Sequence, residues 1–354
     1  MKRLIIACLL ICLLLCACGK DVPETTPTTA APTTEAPTEA PTTVPPTTEP
    51  VIIRHPLTGE ALSAPYDGRI ATFSVNNAPA ALPQSGISGA DWFYEMECEG
   101  GVTRCLALFT DFTDVGNLGP IRSARTYFLN LSRSYDGVLF HCGGSGYALN
   151  AQYDEAHTLS NWEHVDQMSN GSYFFRASRP GYAYEHTLYT TGENAAKAMT
   201  DKGFYDSDET MTEFGLNFQE DLQLNGELAE SITVQFQGTK TTGFKYNKET
   251  NCYTVSQRGG SWIDANNNQT ISFNNVLILQ AEQRKPAGMH SFYGLIGEGT
   301  GYLAVGGKIV PIKWSRSDVG SSFVYTLEDG SPVTFSVGKT FCAIVSYKGS
   351  ISFG

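Results

Sequence analysis

The feature that most constrains this chain is a Thr/Pro-rich segment at residues 19–50. From Lys20 to Pro50 it contains 11 Thr and 8 Pro and no aromatic residue. Such a segment has almost no apolar area to bury, so nothing offsets the backbone entropy lost on ordering, and we expect a disordered tether. A packed core is therefore expected only within residues 51–354, and residues 1–18 need a separate explanation.

Residues 1–18 have the pattern of a bacterial lipoprotein signal peptide. Two basic residues precede the apolar run Leu4–Cys16, which is shorter than the roughly 20 residues that a membrane-spanning helix needs. The run leads into a lipobox pattern, in which the Cys18 thiol accepts acyl chains such as palmitate; the alternative is an ordinary secretory signal that is cleaved after Ala17. Because two or three chains anchor a protein stably, we expect attachment through Cys18 to the outer, extracytoplasmic face of the membrane.

The pattern of residues 51–354 predicts two domains. Up to about residue 224, strand-like runs alternate with helical ones, whereas short alternating runs between Gly, Asn and Asp turns dominate from Asn225 onward. We therefore predict a mixed-sheet, helix-covered α/β domain at residues 51–224, followed by an all-β or mostly-β domain at residues 225–354. The 21 basic and 31 acidic residues of this part give a net charge of −10, which argues against nucleic acid as a partner.

One hairpin and two helices are the clearest elements of the first predicted domain. Strand-like runs at Asp91–Glu99 and Val102–Thr110 flank Gly100-Gly101, which is typical of a two-residue hairpin loop. Helical spacing of apolar residues covers Arg122–Ser134, and a second helix is predicted over Gly192–Lys202.

The hairpin register brings acidic residues close to arginines. With Gly100-Gly101 as the loop, Glu97 would face Arg104 and Glu95 would face Leu106. The second strand is apolar on both faces, as expected of a covered strand, so these carboxylates need partners. Further cations lie in the first turn of the predicted helix over Arg122–Ser134, where the helix dipole disfavours positive charge unless an anion is nearby.

Two interpretations of this cluster remain open. The first is a buried salt-bridge network between the arginines and their carboxylate partners Glu95 and Glu97. The second is an anion or phosphate site that combines guanidinium groups, a hydroxyl and a helix start; its ligand-binding residues would be Arg104, Arg122, Ser123 and Arg125.

The loop after the next predicted strand offers a weaker candidate. Gly143, Gly144 and Ser145 could form a turn nest for an anion, although a tight turn is the simpler interpretation. The preceding His141 and Cys142 are adjacent on a strand and point to opposite faces, so they cannot form a catalytic dyad with each other. No metal-ligand spacing occurs, and we expect neither a metal nor a cofactor.

Five cysteines lie outside the signal peptide, and their odd number leaves at least one free thiol. In the predicted hairpin register two of them share a face at a diagonal distance of about 7 Å, which is long for a disulfide. The sequence does not determine the pairing of Cys98, Cys105, Cys142, Cys252 and Cys342.

Short motifs distributed in order over residues 51–354 carry a family resemblance. They include Pro56-Leu57-Thr58-Gly59, Pro83-Gln84-Ser85-Gly86, Gly119-Pro120-Ile121-Arg122-Ser123-Ala124-Arg125, His141-Cys142-Gly143-Gly144-Ser145 and Lys313-Trp314. With these motifs the chain resembles the YerB-like lipoproteins of Gram-positive bacteria. The resemblance implies an extracytoplasmic lipoprotein with an N-terminal and a C-terminal domain, and it implies no particular reaction.

The leading functional expectation is a membrane-tethered binding or interaction module. Its ligand is unknown, and an anion or a phosphate-bearing envelope component is one candidate; an envelope polymer or a protein could be the partner. The alternative is a cell-envelope enzyme, a phosphotransferase or hydrolase, that uses the Arg/Glu cluster, with analogy as its main support.

Overall fold

The centre of the structure is a mixed β-sheet to which both halves of the folded sequence contribute strands. The computed structural model describes residues 52–145, 162–205, 213–284 and 292–354; the predicted signal peptide, Cys18 and the predicted tether lie outside these residues. The strands are β1 Ala71–Asn76, β2 Trp92–Glu97, β3 Thr103–Phe109, β4 Asn117–Leu118, β5 Val138–His141, β6 His164–Asp166, β7 Phe175–Arg176, β8 Leu188–Thr191, β9 Asn217–Gln219, β10 Glu227–Leu228, β11 Ser231–Gln235, β12 Thr241–Asn247, β13 Cys252–Gln257, β14 Gly260–Ser261, β15 Ser272–Phe273, β16 Asn275–Ala281, β17 Gln283–Arg284, β18 Phe292–Tyr293, β19 Gly297–Val305, β20 Lys308–Arg316, β21 Val324–Thr326, β22 Thr334–Ser336, β23 Thr340–Ser346 and β24 Ser350–Phe353.

The central sheet has the strand order β10-β20-β19-β16-β23-β2-β3-β1-β5-β6, and β21 pairs with β20. Strands β2, β3 and β23 are buried along their whole length, as expected where both faces of a sheet are covered. The pairs β1–β5, β5–β6, β2–β23 and β16–β23 are parallel, so the sheet is mixed as predicted.

A second sheet with the order β14-β13-β12-β11-β24, in which β15 also pairs with β13, covers part of one face. Strand β11 alternates between exposed and buried residues, which is typical of a sheet with one face in water. Aromatic side chains fill the space between the sheets: the ring of Phe93 lies 5.8 Å from that of Trp262, and Phe341 lies 5.3 Å from Phe273. Such aromatic pairs add to the burial of apolar area.

In the described parts of the chain there are two α-helices, α1 Thr126–Ser134 and α2 Gly192–Asp201. Buried side chains of α1, including Tyr127 and Phe128, pack in the apolar cluster with Trp92. Helix α2 begins after Thr191, whose hydroxyl accepts a 3.0 Å hydrogen bond from Asn194 N and caps the helix. Two short helices among the described residues do not confirm the helix-covered layer that we predicted for residues 51–224.

The boundary predicted near residue 224 stays a prediction. By its contacts, Val51–Gly354 forms one unit. The reason lies in β23, a strand from the end of the chain that pairs with both β2 and β16. Both predicted domains therefore share the same central sheet.

The predicted hairpin is present, but its register is shifted by one residue. Glu95 pairs with Cys105 and Glu97 with Thr103, because the strands are joined by the three residues Glu99–Gly101 and not by two. Both glycines of this connection have positive φ, 77° and 69°, and three-residue hairpin loops place glycine in this left-handed conformation. The shift places Arg104 on the opposite face from Glu95 and Glu97.

Candidate functional site

The segment before α1 is extended, so the predicted helix over Arg122–Ser134 begins four residues later than expected. Arg122 N donates to Ser74 O at 2.8 Å and Ala124 N donates to Gly143 O at 2.9 Å. Arg125 occupies the N-cap position with extended backbone angles. Arg122 and Arg125 therefore do not lie in a first helical turn, and the helix start does not draw an anion to them.

The predicted arginines have separate partners. Arg104 Nη1 donates to Ser123 O at 2.7 Å, and burial lowers the pKa of Arg104. Arg125 binds Glu99 through Nε and Nη2, with a shortest distance of 2.7 Å, in a two-pronged geometry that is typical of arginine and carboxylate. Arg122 Nη2 lies 3.2 Å from Glu185 Oε2 near the surface.

The two predicted carboxylate partners lie elsewhere and bind other groups. Glu95 is fully buried, and its Oε1 lies 2.9 Å from Lys240 Nζ. Glu97 Oε2 accepts a 2.8 Å hydrogen bond from Gln237 N, and burial raises the pKa of Glu97. The structure therefore does not bring Glu95 and Glu97 to the arginines, so the predicted Arg/Glu cluster is not assembled as one site.

Additional hydrogen bonds complete the buried Glu95–Lys240 pair. Glu95 Oε1 accepts from Asn77 Nδ2 at 2.9 Å and from Thr103 Oγ1 at 2.6 Å, and Glu95 Oε2 accepts from Thr242 Oγ1 at 2.6 Å. Buried ions are tolerated when their remaining hydrogen-bonding positions are filled in this way. The pair connects β2 with the start of the second sheet, and we assign it a role in folding.

The loop at Gly143, Gly144 and Ser145 binds groups of the protein itself. Gly143 N donates to Asp166 Oδ1 at 2.7 Å, and Ser145 N donates to Ala124 O at 3.2 Å. Because a carboxylate and a carbonyl already occupy these two N–H groups, they are not available to an external anion.

Polar side chains gather where the parallel strands β1, β5 and β6 end. Their last residues are Asn76, His141 and Asp166, and ligands of open mixed sheets bind at this type of edge. His141 Nε2 lies 2.9 Å from His164 Nδ1. Burial lowers the pKa of His141 to about 4, so both imidazoles are uncharged near neutral pH and act as a hydrogen-bonded pair.

The strongest concentration of positive charge at this edge was not predicted. The guanidinium of Arg176 lies 3.8 Å from the ring centre of Tyr184, and that of Arg179 lies 3.7 Å from the ring centre of Tyr182. Together with Arg122, these residues form what we call the arginine–tyrosine surface. Tyr184 is 73% exposed and Tyr182 37% exposed, and stacked arginines and tyrosines are common in binding surfaces.

Contacts with the segment Tyr184–His186 place the three arginines near one another: Arg176 Nη1 donates to Tyr184 O at 2.6 Å, Arg122 Nη2 pairs with Glu185, and Arg179 Nη1 donates to His186 O at 3.0 Å. Arg122 and Arg179 both lower the pKa of His186, and Arg176 and Arg122 both oppose the rise in the pKa of Cys142 that burial causes. Across the described ranges, Glu185 is the one carboxylate at ion-pair distance from any of the three arginines. Arg122 Nε is buried and has no hydrogen-bond acceptor. The surface therefore carries excess positive charge on a protein that is otherwise acidic.

The sequence did contain a signal for this surface. Arg176, Arg179, Tyr182 and Tyr184 occur within nine residues of a chain in which only 17% of residues are charged. The stacking could not be predicted, because it depends on how β7 and the following turn fold back. Arg179 in addition donates to the carbonyls of Ala81 and His186, at 3.0 Å each, and thereby fixes the turn.

The five cysteines that the structure describes outside the signal peptide are all free thiols. Cys98 and Cys105 do not share a face, which corrects the expectation from the predicted register. Within the described segments there is no group of three or more metal-ligating side chains. No helix among these residues is both long and apolar enough to cross a membrane.

Comparison with known proteins identifies the family. Residues 57–205 match the N-terminal domain, and residues 232–342 the C-terminal domain, of a protein of unknown function (DUF3048). Putative lipoprotein YerB of Bacillus subtilis (strain 168) is 30% identical over 307 residues, which are 82% of this chain and 88% of that protein. The crystal structure of the YerB protein from Bacillus subtilis has a TM-score of 0.71 at 30% identity, and the match covers 85% of this chain and 99% of that chain. The resemblance that the sequence motifs predicted is thus confirmed, and the chain belongs to the DUF3048 family.

Proposed function

We propose that this protein is a lipid-anchored, extracytoplasmic binding module that holds a phosphate-bearing polymer of the cell envelope at the arginine–tyrosine surface. The observation that carries the proposal is that Arg122, Arg176 and Arg179 all contact the segment Tyr184–His186, through Glu185 and the carbonyls of Tyr184 and His186 respectively.

The predicted anchor and tether support this function. Cys18 would carry the acyl chains, and residues 19–50 would let the folded part reach about 30 Å from the membrane as a flexible coil. A protein that is held in the envelope in this way meets wall polymers at high local concentration. The name of the relative YerB, a lipoprotein, agrees with this placement.

The chemistry of the surface suits phosphate groups better than rigid partners that carry several carboxylates. Guanidinium groups form paired, charge-assisted hydrogen bonds with phosphate oxygens. The ion pair of Arg122 Nη2 with Glu185 is exposed, so a phosphate could displace that carboxylate at little cost. Of the four predicted ligand-binding residues, only Arg122 remains in the proposal.

Poly(glycerol phosphate) binding to the full chain in detergent, measured by titration calorimetry, tests the function. Arg122→Gln and Arg176→Gln should each weaken binding about tenfold, since each removes one charge-assisted contact. Arg284→Gln is the matched control, because Arg284 also forms an exposed pair, at 2.7 Å from Glu282, away from this surface. Unchanged binding in both arginine variants, or an equal loss in the control, would refute the proposed site.

A reaction at the Arg/Glu cluster, the alternative predicted from the sequence, receives no support from the geometry. Its arginines point to Ser123, Glu185 and Glu99, while Glu95 is buried with Lys240. A nucleophile, a base and a phosphate-binding group do not meet in one opening among these residues, and we propose no reaction there.

A further inference from the structure

A second candidate site lies on the other side of the central sheet, between α1 and the β19–β20 hairpin. A cleft of about 400 Å³ is lined there by residues that include Asn130, Leu295 and Trp314 at its base and Glu298 and Tyr347 at its rim. The volume is within the range of small-molecule sites. These residues are separate from the arginine–tyrosine surface, so the cleft extends the protein's function beyond the proposed phosphate binding.

The base of the cleft contains an unpartnered polar side chain. Asn130 is 2% exposed, and its Oδ1 is buried without a hydrogen-bond partner. Its backbone carbonyl, by contrast, accepts from Arg316 Nη2 at 2.7 Å and from Ser134 Oγ at 3.0 Å. Because a buried acceptor without a donor is costly, this amide points to a ligand that supplies an N–H or O–H group.

The chemistry of the rim favours a neutral ligand with both hydroxyl groups and apolar faces. Arg284 also lines the cleft and pairs with Glu282 at 2.7 Å, which leaves Glu298 as the carboxylate without a cation in this lining; it would repel an anion and can accept hydrogen bonds from hydroxyls. Tyr347 is 56% exposed and Ile296 44% exposed, and they offer an aromatic and an aliphatic surface at the opening. Sugar rings combine hydroxyls with apolar C–H faces and suit such a lining.

A second cleft extends the first one. It has a volume of about 450 Å³, and it shares Glu298 and Trp314 with the first cleft while adding hydroxyls from Thr300 and Ser315. Trp314 between the two clefts is fixed, because its Nε1 donates to Gln280 O at 3.0 Å. Two adjoining polar clefts suit a ligand made of several linked units.

We propose that these clefts bind an oligosaccharide that carries acetamido groups, with the amide N–H of one unit donating to Asn130 Oδ1. The acetamido methyl group would then pack beside Leu295, which is 2% exposed at the base. Glu298 would accept hydroxyl hydrogen bonds at the junction of the clefts, and Tyr347 would cover one ring at the rim.

The test uses the full chain in detergent, titrated with the β-1,4-linked tetramer of N-acetylglucosamine and, separately, with the tetramer of glucose. We expect saturable binding of the acetylated tetramer and at least about tenfold weaker binding of the glucose tetramer, since the amide contact is missing. Equal binding of the two tetramers, or no saturable binding of the acetylated one, would overturn the proposal. Binding of a tetrapeptide in place of the sugar would overturn it as well.

Variants locate the site and separate it from the arginine–tyrosine surface. Asn130→Ala and Tyr347→Ala should each weaken binding of the acetylated tetramer about tenfold. Tyr347 is at the surface, so its variant is informative even if Asn130→Ala folds poorly. Tyr184→Ala, which removes a comparably exposed tyrosine elsewhere, and Arg122→Gln should both bind the sugar like the unmodified chain. Unchanged sugar binding in Tyr347→Ala, or equal losses in all variants, would contradict the assignment.

Discussion

Replacement of Lys240 by methionine should strongly destabilise the protein. Lys240 and Glu95 are both 0% exposed, and their charged atoms lie 2.9 Å apart. Methionine fills most of the space of the lysine chain but leaves the Glu95 carboxylate buried without a cation. Removal of one partner of a buried pair costs about 3–5 kcal/mol. Three hydrogen-bond donors to Glu95 remain, from Asn77, Thr103 and Thr242, so we expect about 3 kcal/mol.

Urea unfolding, followed by tryptophan fluorescence, measures this loss. The double variant Glu95→Gln/Lys240→Met should lose less than the sum of the two single variants, because neither charge is then left alone. Lys197→Met, which breaks an exposed pair with Asp201, is the control and should leave the transition unchanged. A loss below about 1 kcal/mol for Lys240→Met, or strict additivity in the double variant, would refute the reasoning.

Three further predictions concern stability. Burial holds the pKa of His141 at about 4 in the folded protein, below the value near 6.5 that it has in the unfolded chain. The free energy of unfolding is therefore at its full value above pH 6.5 and falls by about 2 kcal/mol between pH 7 and pH 5. The variant His141→Gln should reduce this loss in urea unfolding measured at both pH values, and an unchanged pH dependence would contradict the assignment. Gly301→Ala should cost about 1–3 kcal/mol, since a Cβ there would lie 2.2 Å from Ile278 O, whereas Gly260→Ala has space and should change the thermal midpoint little. In urea unfolding, Asp264→Asn should cost about 1–3 kcal/mol, because this buried carboxylate accepts from Gly86 N at 2.9 Å and from Ser88 N at 2.8 Å. Asp329→Asn is the exposed control, and equal losses in the two variants would be inconsistent with these contacts.

The sequence allowed the mixed sheet and the hairpin to be predicted, because both depend on local patterns. The hairpin register could not be predicted, because Glu99 belongs to the connecting loop and not to the first strand. The predicted start of α1 was also wrong, because the backbone N–H groups of Arg122 and Ala124 bond to carbonyls that are distant in sequence. Tertiary contacts of this kind override the helical periodicity of a short segment.

The two halves of residues 51–354 are joined by contacts between residues that are distant in sequence, which local sequence patterns do not predict. Strand β23 lies beside β2, although about 240 residues separate them in sequence. Side-chain contacts strengthen this link: Trp262 Nε1 donates to Gln84 Oε1 at 2.9 Å, and Asp264 binds the backbone at Gly86. The change in pattern near residue 224 falls between the two family domains at residues 57–205 and 232–342, and strands from both sides of it share the central sheet.

The candidate site was predicted only in part for a similar reason. Arg122 was one of the residues of the anion site that the sequence left open beside a salt-bridge network, and it is kept in the proposal. Arg104 and Arg125 were grouped with it by proximity in sequence, yet their guanidinium groups bind Ser123 O and Glu99. The arginines that do lie near Arg122 come from the turn around Arg176 and Arg179, which reaches the sheet edge only in the folded chain.

The most direct test of the central claim is the salt dependence of poly(glycerol phosphate) binding to the full chain. If three arginines contact phosphates, the logarithm of the binding constant should fall with the logarithm of the NaCl concentration with a slope of about −2. Arg176→Gln should reduce the steepness by about 0.7, which corresponds to one lost contact. A slope near zero, or the same slope in Arg176→Gln and the unmodified chain, would contradict the claim that the arginine–tyrosine surface binds phosphate.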